Sequence, residues 1–200
     1  MLILLDNGHG GIIKGVYQTP GKRSPIWKDG SQLFEGEFNR AIVNRIVEAL
    51  TGLGISYVNI APEYHDVSLE TRVERANHYA NMPSFYLSVH SNAGGGCGFE
   101  VFTSPGDDRS DKIAEIFGIE YQNVFPDKML RADYTDQDLD KEQRFYVLTH
   151  TKMPSILTES FFMDNKEECK SILMTREGRD KIAQYHLNAI LKVKQQIFKS

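Results

Sequence analysis

The sequence is poor in cysteine, has no long hydrophobic run and contains no cluster of positive charge. Its two cysteines, Cys97 and Cys169, cannot build a disulfide framework in a chain of 200 residues, and we expect both to be free thiols. No apolar run approaches the roughly 20 residues that a membrane-spanning helix requires, so we expect no membrane span. The formal net charge of -4 and the lack of a lysine or arginine block argue against nucleic acid as the main partner.

Length and composition fit one globular domain with a full hydrophobic core. The chain is 40% hydrophobic and 25% charged, as is usual for globular proteins. Met1 leads directly into an apolar segment, without the basic, apolar and cleavage-site regions of a secretory signal. We therefore expect either a protein kept in the cytosol or one shown without its leader.

Strand-like and helix-like patterns alternate along the chain, which predicts an α/β fold. The residues between 10 and 34 and between 126 and 144 show no periodicity and are expected to form functional loops. The predicted strands cover residues 2–5, 55–60, 84–89, 99–102, 145–148 and 156–159. The predicted helices cover residues 35–51, 69–80 and 108–124, a short segment after Asn165, and the chain from Thr175 almost to Ser200.

Three strand-like runs end near residues that can bind a metal or move a proton. His9, His90 and Glu159 each stand at or just beyond the end of such a run. Because the carboxyl ends of parallel strands lie along one edge of a sheet, we expect these side chains to meet there. Two histidines and a carboxylate at one edge predict a metal site with a nearby base.

A third metal ligand is expected from the helix that follows the first long loop. Catalytic zinc typically has three protein ligands and keeps a fourth position for water, and His9 and His90 supply two nitrogens. Glu35 fits as the third ligand because the first turn of a helix stabilises negative charge. Glu37 competes with it, but positions two apart point to different faces, so only one can reach the metal. Glu159 would then accept a proton from the water and pass it to a leaving amine.

Six sequence blocks occur in a fixed order and cover essentially the whole chain. They are Asp6-Asn7-Gly8-His9-Gly10-Gly11, Glu35 before an amphipathic helix, Leu69-Glu70-Thr71-Arg72-Val73-Glu74-Arg75-Ala76-Asn77, Ser88-Val89-His90-Ser91-Asn92-Ala93, Gly98-Phe99-Glu100-Val101 and Met153-Pro154-Ser155-Ile156-Leu157-Thr158-Glu159-Ser160-Phe161-Phe162-Met163-Asp164-Asn165. Together they resemble the zinc-dependent N-acetylmuramoyl-L-alanine amidases of the type-3 (autolysin amidase) family. The match at Glu35 favours it over Glu37 as a ligand.

The resemblance implies one zinc ion held by His9, Glu35 and His90, with Glu159 as general base and acid. The implied reaction is hydrolysis of the amide between N-acetylmuramic acid and the first L-alanine of the peptidoglycan stem. The implied fold is a twisted, mostly parallel sheet of about six strands flanked by helices on both faces. Residues 1–200 would form the zinc amidase catalytic domain, without a separate wall-binding domain.

The resemblance also sets expectations about partners and setting. The partner would be peptidoglycan, and we expect the protein to be a monomer. It would act on the bacterial cell wall, either as a lysin (endolysin) released from the cytoplasm or as an enzyme exported with a leader. Asn7 and Ser160 depart from the family pattern, which commonly has proline and glycine there. Both departures affect the backbone around the site rather than a ligand or the base.

Candidate substrate-binding residues are Asn92, Arg131 and His150. Asn92 belongs to one of the family-like blocks, and Arg131 could hold a carboxylate of the peptide stem. His150 precedes the last predicted strand and could donate a hydrogen bond to the tetrahedral oxyanion.

Other readings of the sequence stay open at this point. Within enzymes, the alternative is a zinc peptidase that cuts a peptide bond in the stem. From another class, the alternative is a wall-binding module without catalysis. Asp136, Asp138 and Asp140 alternate as in a calcium loop, but the required glycine and final glutamate are missing, so we predict a solvated acidic loop.

Overall fold

The structure, a computed structural model, describes residues 1–135 and 138–198. In chain order its strands are β1 (Leu2–Asp6), β2 (Ile12–Ile13), β3 (Val16–Tyr17), β4 (Tyr57–Asn59), β5 (Ser84–Asn92), β6 (Phe99–Thr103), β7 (Lys141–Glu142) and β8 (Ser155–Phe162). Its helices are α1 (Glu35–Gly52), α2 (Leu69–Asn77), α3 (Asp108–Val124), α4 (Tyr146–His150), α5 (Lys166–Glu168), which continues into a π-helical turn (Cys169–Leu173), and α6 (Arg176–Gln196).

Six of these strands form one mostly parallel sheet in the order β4-β1-β5-β8-β6-β7. All neighbouring pairs run parallel except β6 and β8, which are antiparallel. The predicted α/β class with about six strands is therefore confirmed. The short pair β2 and β3 forms a separate hairpin inside the first long loop.

Helices cover both faces of the sheet, as predicted. β1 is buried along its whole length and β5 along nearly all of it, which is why both read as continuous apolar runs rather than as alternating patterns. The larger core lies between the sheet and α1, α3 and α6, and the smaller core lies between the sheet and α2 and α4. Among the described residues, no helix combines the length and apolar content needed to cross a bilayer.

The strand predicted over residues 145–148 is wrong, because this segment forms the one-turn helix α4. Val147 and Leu148 are adjacent in sequence and both buried in the smaller core, which a strand with alternating faces would not allow. The sixth strand is instead β7, a two-residue edge strand in the second loop. Short apolar runs do not distinguish a strand from a buried helical turn by periodicity alone.

His186 of α6 is a fully buried histidine that packs against Phe117 of the larger core. Its Nδ1 lies 2.8 Å from the carbonyl oxygen of Ile182, and its Nε2 lies 3.0 Å from Thr158 Oγ1. Burial lowers the pKa of His186 to about 4. The folded protein therefore holds this side chain neutral at a pH where the unfolded chain would protonate it.

We expect His186 to make the protein less stable in mild acid. The unfolded histidine has a pKa of 6.5, so the unfolded state binds the extra proton as the pH falls from 6.5 towards about 4. Over that window the free energy of unfolding should fall by roughly 3 kcal/mol. Urea unfolding at several pH values should show this fall in the free energy of unfolding for the His78→Gln variant, which alters an exposed histidine. The same measurement on His186→Gln should not show it. An equal fall in both variants would contradict the assignment.

Candidate metal centre and catalytic cleft

Three neighbouring strands bring the predicted site residues to one edge of the sheet. His9 follows β1, His90 lies near the end of β5, and Glu159 lies directly beside His90 in the parallel register of β5 and β8. Glu35 is the first residue of α1. The structure thus gathers all four residues that the sequence singled out.

The two histidines and Glu35 form a cluster that could hold a metal ion. Glu35 Oε1 lies 3.2 Å from His9 Nε2 and 2.9 Å from His90 Nδ1. The three ligand atoms all lie within 4.8 Å of one another. His9 Nε2 is buried but outside hydrogen-bonding geometry towards Glu35, so it has no hydrogen-bond partner among the described residues. A lone pair in that position fits a metal ligand.

Close backbone approaches at two glycines make this cluster possible. Gly8 has a φ of +24°, and a Cβ placed on it would lie 2.2 Å from His90 Cε1. A Cβ on Gly36 would lie 1.9 Å from the carbonyl oxygen of Gly10, so α1 can begin against the loop only with glycine there. The N–H of Gly36 also donates to the Tyr17 hydroxyl at 2.8 Å. These contacts bring Glu35 to the two histidines.

The electrostatics of the cluster suit a cation. Burial alone would raise the pKa of Glu35, but the close contacts of its carboxylate with His9 and His90 hold that pKa well below its usual range. Burial lowers the pKa of His9, which favours its neutral imidazole. An ionised carboxylate and neutral imidazoles are the forms in which these side chains bind metals.

Glu37 differs from Glu35 in its contacts, although both lie in the first turn of α1. Glu37 Oε1 accepts a hydrogen bond from the N–H of Ile12 at 2.7 Å, so it anchors the first loop to α1. The structure places Glu35, and not Glu37, against the histidines.

Glu159 lies beside His90 and lines a cleft of about 530 Å³. Its Oε2 is buried and has no hydrogen-bond partner in the described part of the chain. Burial, and then the negative charge of Glu35, raise the pKa of Glu159 well above its usual value, whereas the charge of Lys22 lowers it. The cleft is lined by both histidines and by Asp6, Gly8, Lys22, Asp66, Val67, Ser68, Leu69, Arg72, Ser88, Phe145, Tyr146, Val147, Leu157 and Glu159.

The three candidate substrate residues do not line this cleft. Arg131 Nε donates to Glu100 Oε1 at 2.7 Å, and Asn92 Nδ2 donates to Glu100 Oε2 at 2.5 Å. His150 is exposed at the end of α4, where its ring stacks on Tyr146 at 3.9 Å. Arg131 and Asn92 thus hold Glu100 beside the site, and the substrate role of all three residues stays a prediction.

Several cleft residues were not predicted from the sequence. Lys22 lies in the aperiodic first loop, whose path no pattern predicts, and its carbonyl oxygen accepts the N–H of Glu35 at 3.0 Å. Ser88 belongs to one of the family-like blocks but was not predicted as a site residue. It lies two positions before His90 on the same strand, so it faces the same side of the sheet, and that spacing could have revealed it.

The acidic loop is not simply solvated, contrary to the prediction. Asp140 is buried and accepts a hydrogen bond from Thr103 Oγ1 at 2.5 Å, while Asp136 lies outside the described residues. Asp111 of α3 joins Asp138 and Asp140, with one oxygen of each within 4.8 Å of the others. Burial and neighbouring carboxylates raise the pKa of Asp140 to about 7 and that of Asp111 to about 6. The sequence could not show that a residue of α3 would meet this loop.

Comparison with known proteins adds sequence and structural relatives. N-acetylmuramoyl-L-alanine amidase CwlM of Bacillus licheniformis is 28% identical over 191 residues, covering 95% of this chain and 67% of CwlM. An endolysin of Bacillus phage SPP1 is 27% identical over 198 residues, covering 96% of this chain and 65% of the endolysin. The chain thus spans about two thirds of the length of these two relatives.

A solved structure shares the fold. The crystal structure of N-acetylmuramoyl-L-alanine amidase from Clostridium difficile 630 superposes with a TM-score of 0.78, covering 98% of this chain and 97% of that chain, at 22% identity. Residues 3–192 also match the sequence model of a family described as N-acetylmuramoyl-L-alanine amidase. Since that match spans nearly the whole chain, the protein belongs to the N-acetylmuramoyl-L-alanine amidase family of peptidoglycan hydrolases.

Proposed function

We propose that this protein is a zinc-dependent N-acetylmuramoyl-L-alanine amidase that hydrolyses the amide between N-acetylmuramic acid and the L-alanine of the peptidoglycan stem. The observation that carries the proposal is the cluster of His9, Glu35 and His90, together with a cleft that both histidines and Glu159 line. Family membership supplies the substrate class. The geometry supplies the residues for a hydrolytic reaction.

The donor set fits zinc. Two imidazole nitrogens and one carboxylate oxygen are a known ligand set of catalytic zinc, and hard oxygen-preferring cations such as calcium would favour more carboxylates. His9, Glu35 and His90 would hold the ion. When bound, zinc supplies a Lewis acid that polarises the amide carbonyl and makes water a better nucleophile at neutral pH.

Glu159 is the residue proposed to move the proton. Its free Oε2 accepts the proton of the attacking water and later delivers it to the nitrogen of the departing alanine. The raised pKa of Glu159 suits the second step, because the carboxyl group holds its proton until the leaving amine takes it. The positive charge of Lys22 opposes this rise in pKa, which favours the ionised base before the first step.

Lys22 and the apolar rim of the cleft are proposed to contact the substrate. Lys22 lies near enough to Glu159 and His9 for its charge to act on both. Phe145 and Leu69 are exposed and line the same cleft, which gives it an apolar wall. A muropeptide has both carboxylates and apolar methyl groups, so a cleft with these features suits it.

Domain organisation and setting follow the same proposal. We propose that residues 1–200 act as one catalytic domain, as a monomer, on the bacterial cell wall. The sequence relatives include a phage endolysin, and the lysin setting is one of the two that the proposal covers. The other is an enzyme exported with a leader.

Digestion of a defined muropeptide tests the proposed bond. The zinc-loaded protein should release free stem peptide with a new amino terminus at L-alanine, identified by mass spectrometry and end-group labelling. A new terminus further along the stem would make the protein a peptidase and contradict the amidase assignment. Binding to cell walls without any cleavage by the zinc-loaded protein would leave only a wall-binding module.

A further inference from the structure

We infer that Ser88, supported by Asp6, is a positioning residue that fixes the orientation and protonation pattern of His90 for metal binding. The inference rests on the proposed metal site and deepens it. It concerns the nitrogen of His90 that faces away from Glu35. Nothing in the family assignment or in the metal ligand set itself requires this contact.

The two ring nitrogens of His90 have different neighbours. Nδ1 lies 2.9 Å from Glu35 Oε1, on the side where the ligand atoms converge. Nε2 lies 3.1 Å from Ser88 Oγ. If Nδ1 binds a metal, it must offer a lone pair, and the proton of the neutral ring must then be on Nε2. Ser88 Oγ is placed to accept that proton in a hydrogen bond.

Ser88 can accept a hydrogen bond from His90 because its own hydroxyl proton is donated to another group. Its hydroxyl donates to Asp6 Oδ2 at 3.5 Å, a long contact at the limit of hydrogen bonding. Ser88 and Asp6 are each only 1% exposed, so bulk water has little access to these groups. The direction of these two hydrogen bonds therefore follows. His90 Nε2–H donates to Ser88 Oγ, and the Ser88 hydroxyl donates to the Asp6 carboxylate.

Asp6 is itself held in place and kept as an acceptor. Arg72 pairs with Asp6 Oδ1, and the hydroxyl of Tyr86 donates to Asp6 Oδ2. Burial, and then the charge of Asp6, raise the pKa of Tyr86 well above its usual value, so Tyr86 remains a donor. Asp6, Arg72 and Tyr86 are all buried, and Asp6 and Arg72 line the cleft. The guanidinium of Arg72 and the hydroxyl of Tyr86 both donate hydrogen bonds to Asp6, so Asp6 acts as a hydrogen-bond acceptor.

Steric contacts complete the positioning of His90. Gly8 faces the imidazole so closely that a Cβ would lie 2.4 Å from Nε2 and 2.8 Å from Nδ1. The ring therefore lies between Gly8 on one side and the Ser88 and Glu35 contacts on its two nitrogens. Metal-binding histidines usually donate their second N–H to a neighbouring group, and losing that partner typically weakens metal binding about 10–100-fold.

Zinc affinity in Ser88→Ala tests the inference, with Ser84→Ala as the matched control. Ser84 is a buried serine on the same strand, and its hydroxyl donates to the carbonyl oxygens of Tyr79 and Met82, away from the metal cluster. Competition with a chromophoric chelator should show zinc bound about 10–100-fold more weakly by Ser88→Ala than by the unchanged protein. Ser84→Ala should keep the affinity of the unchanged protein.

A spectroscopic readout separates positioning from a merely structural role. In the zinc-loaded, ¹⁵N-histidine-labelled protein, His90 should show a protonated Nε2 whose proton exchanges slowly with water, and Ser88→Ala should speed that exchange. If zinc affinity and proton exchange are unchanged in Ser88→Ala, the inference is wrong although the metal site stands. If the unchanged protein binds no zinc at its histidines, the proposed function itself fails, which is a different result.

Discussion

Replacing Glu159 by glutamine should lower kcat/KM on peptidoglycan by on the order of 10²–10⁴ while leaving the zinc content unchanged. Glutamine keeps the size of the side chain but cannot accept the proton of water or return one to the leaving nitrogen. Glu159 is not one of the three clustered ligands, so the metal should remain bound. Turnover of a labelled muropeptide, together with metal analysis of the same sample, measures both quantities.

The control for this variant is Glu167→Gln. Glu167 is an exposed carboxylate whose ion pair with Lys128 lies outside the cleft lining. Its loss should change kcat/KM little, because Glu167 does not line the cleft and its exposed ion pair contributes little to stability. If Glu159→Gln were as active as this control, Glu159 would have no role in the mechanism. Loss of zinc from Glu159→Gln would instead indicate that Glu159 is a ligand, which would contradict its proposed role as base.

Changing Glu35 to glutamine should weaken zinc binding by more than roughly 100-fold, the upper end of the effect seen for residues that only support a ligand. Activity at limiting zinc should fall in parallel. The reason is that Glu35 Oε1 lies close to both histidines, and its negative charge offsets the charge of the ion. Equilibrium zinc titration measures the affinity, and assays at a fixed concentration of free zinc measure the activity.

Glu37→Gln is the matched control, since it removes the same charge from the same helical turn. Glu37 holds the N–H of Ile12 and does not face the histidines. We expect this variant to bind zinc with the affinity of the unchanged protein and to lose at most some order in the first loop. If Glu37→Gln loses zinc and Glu35→Gln keeps it, the ligand assignment is wrong.

The metal cluster could be anticipated from the sequence because strand direction determines it. His9, His90 and Glu159 each follow a buried apolar run, and parallel strands bring such positions to one edge of the sheet. The choice between Glu35 and Glu37 needed the family resemblance, since both carboxylates suit the first turn of a helix. The structure explains that choice through the close approach of α1 to the loop at Gly36.

Other features depend on contacts between distant segments, which no local pattern encodes. Residues 145–148 have the composition of a strand, yet they lie across the face of the sheet as α4. Arg131 looked available for a substrate carboxylate, but β6 places Glu100 within 2.7 Å of it. Lys22 reaches the cleft from a loop without periodicity. In each case the partner was set by tertiary packing rather than by sequence spacing.

Anomalous scattering from a crystal grown with zinc and measured on both sides of the zinc absorption edge tests the central claim most directly. We predict one strong peak bonded to His9 Nε2, Glu35 Oε1 and His90 Nδ1, with the carboxylate of Glu159 facing it. A peak only at the carboxylates of Asp111, Asp138 and Asp140, or none at the two histidines, would contradict the account.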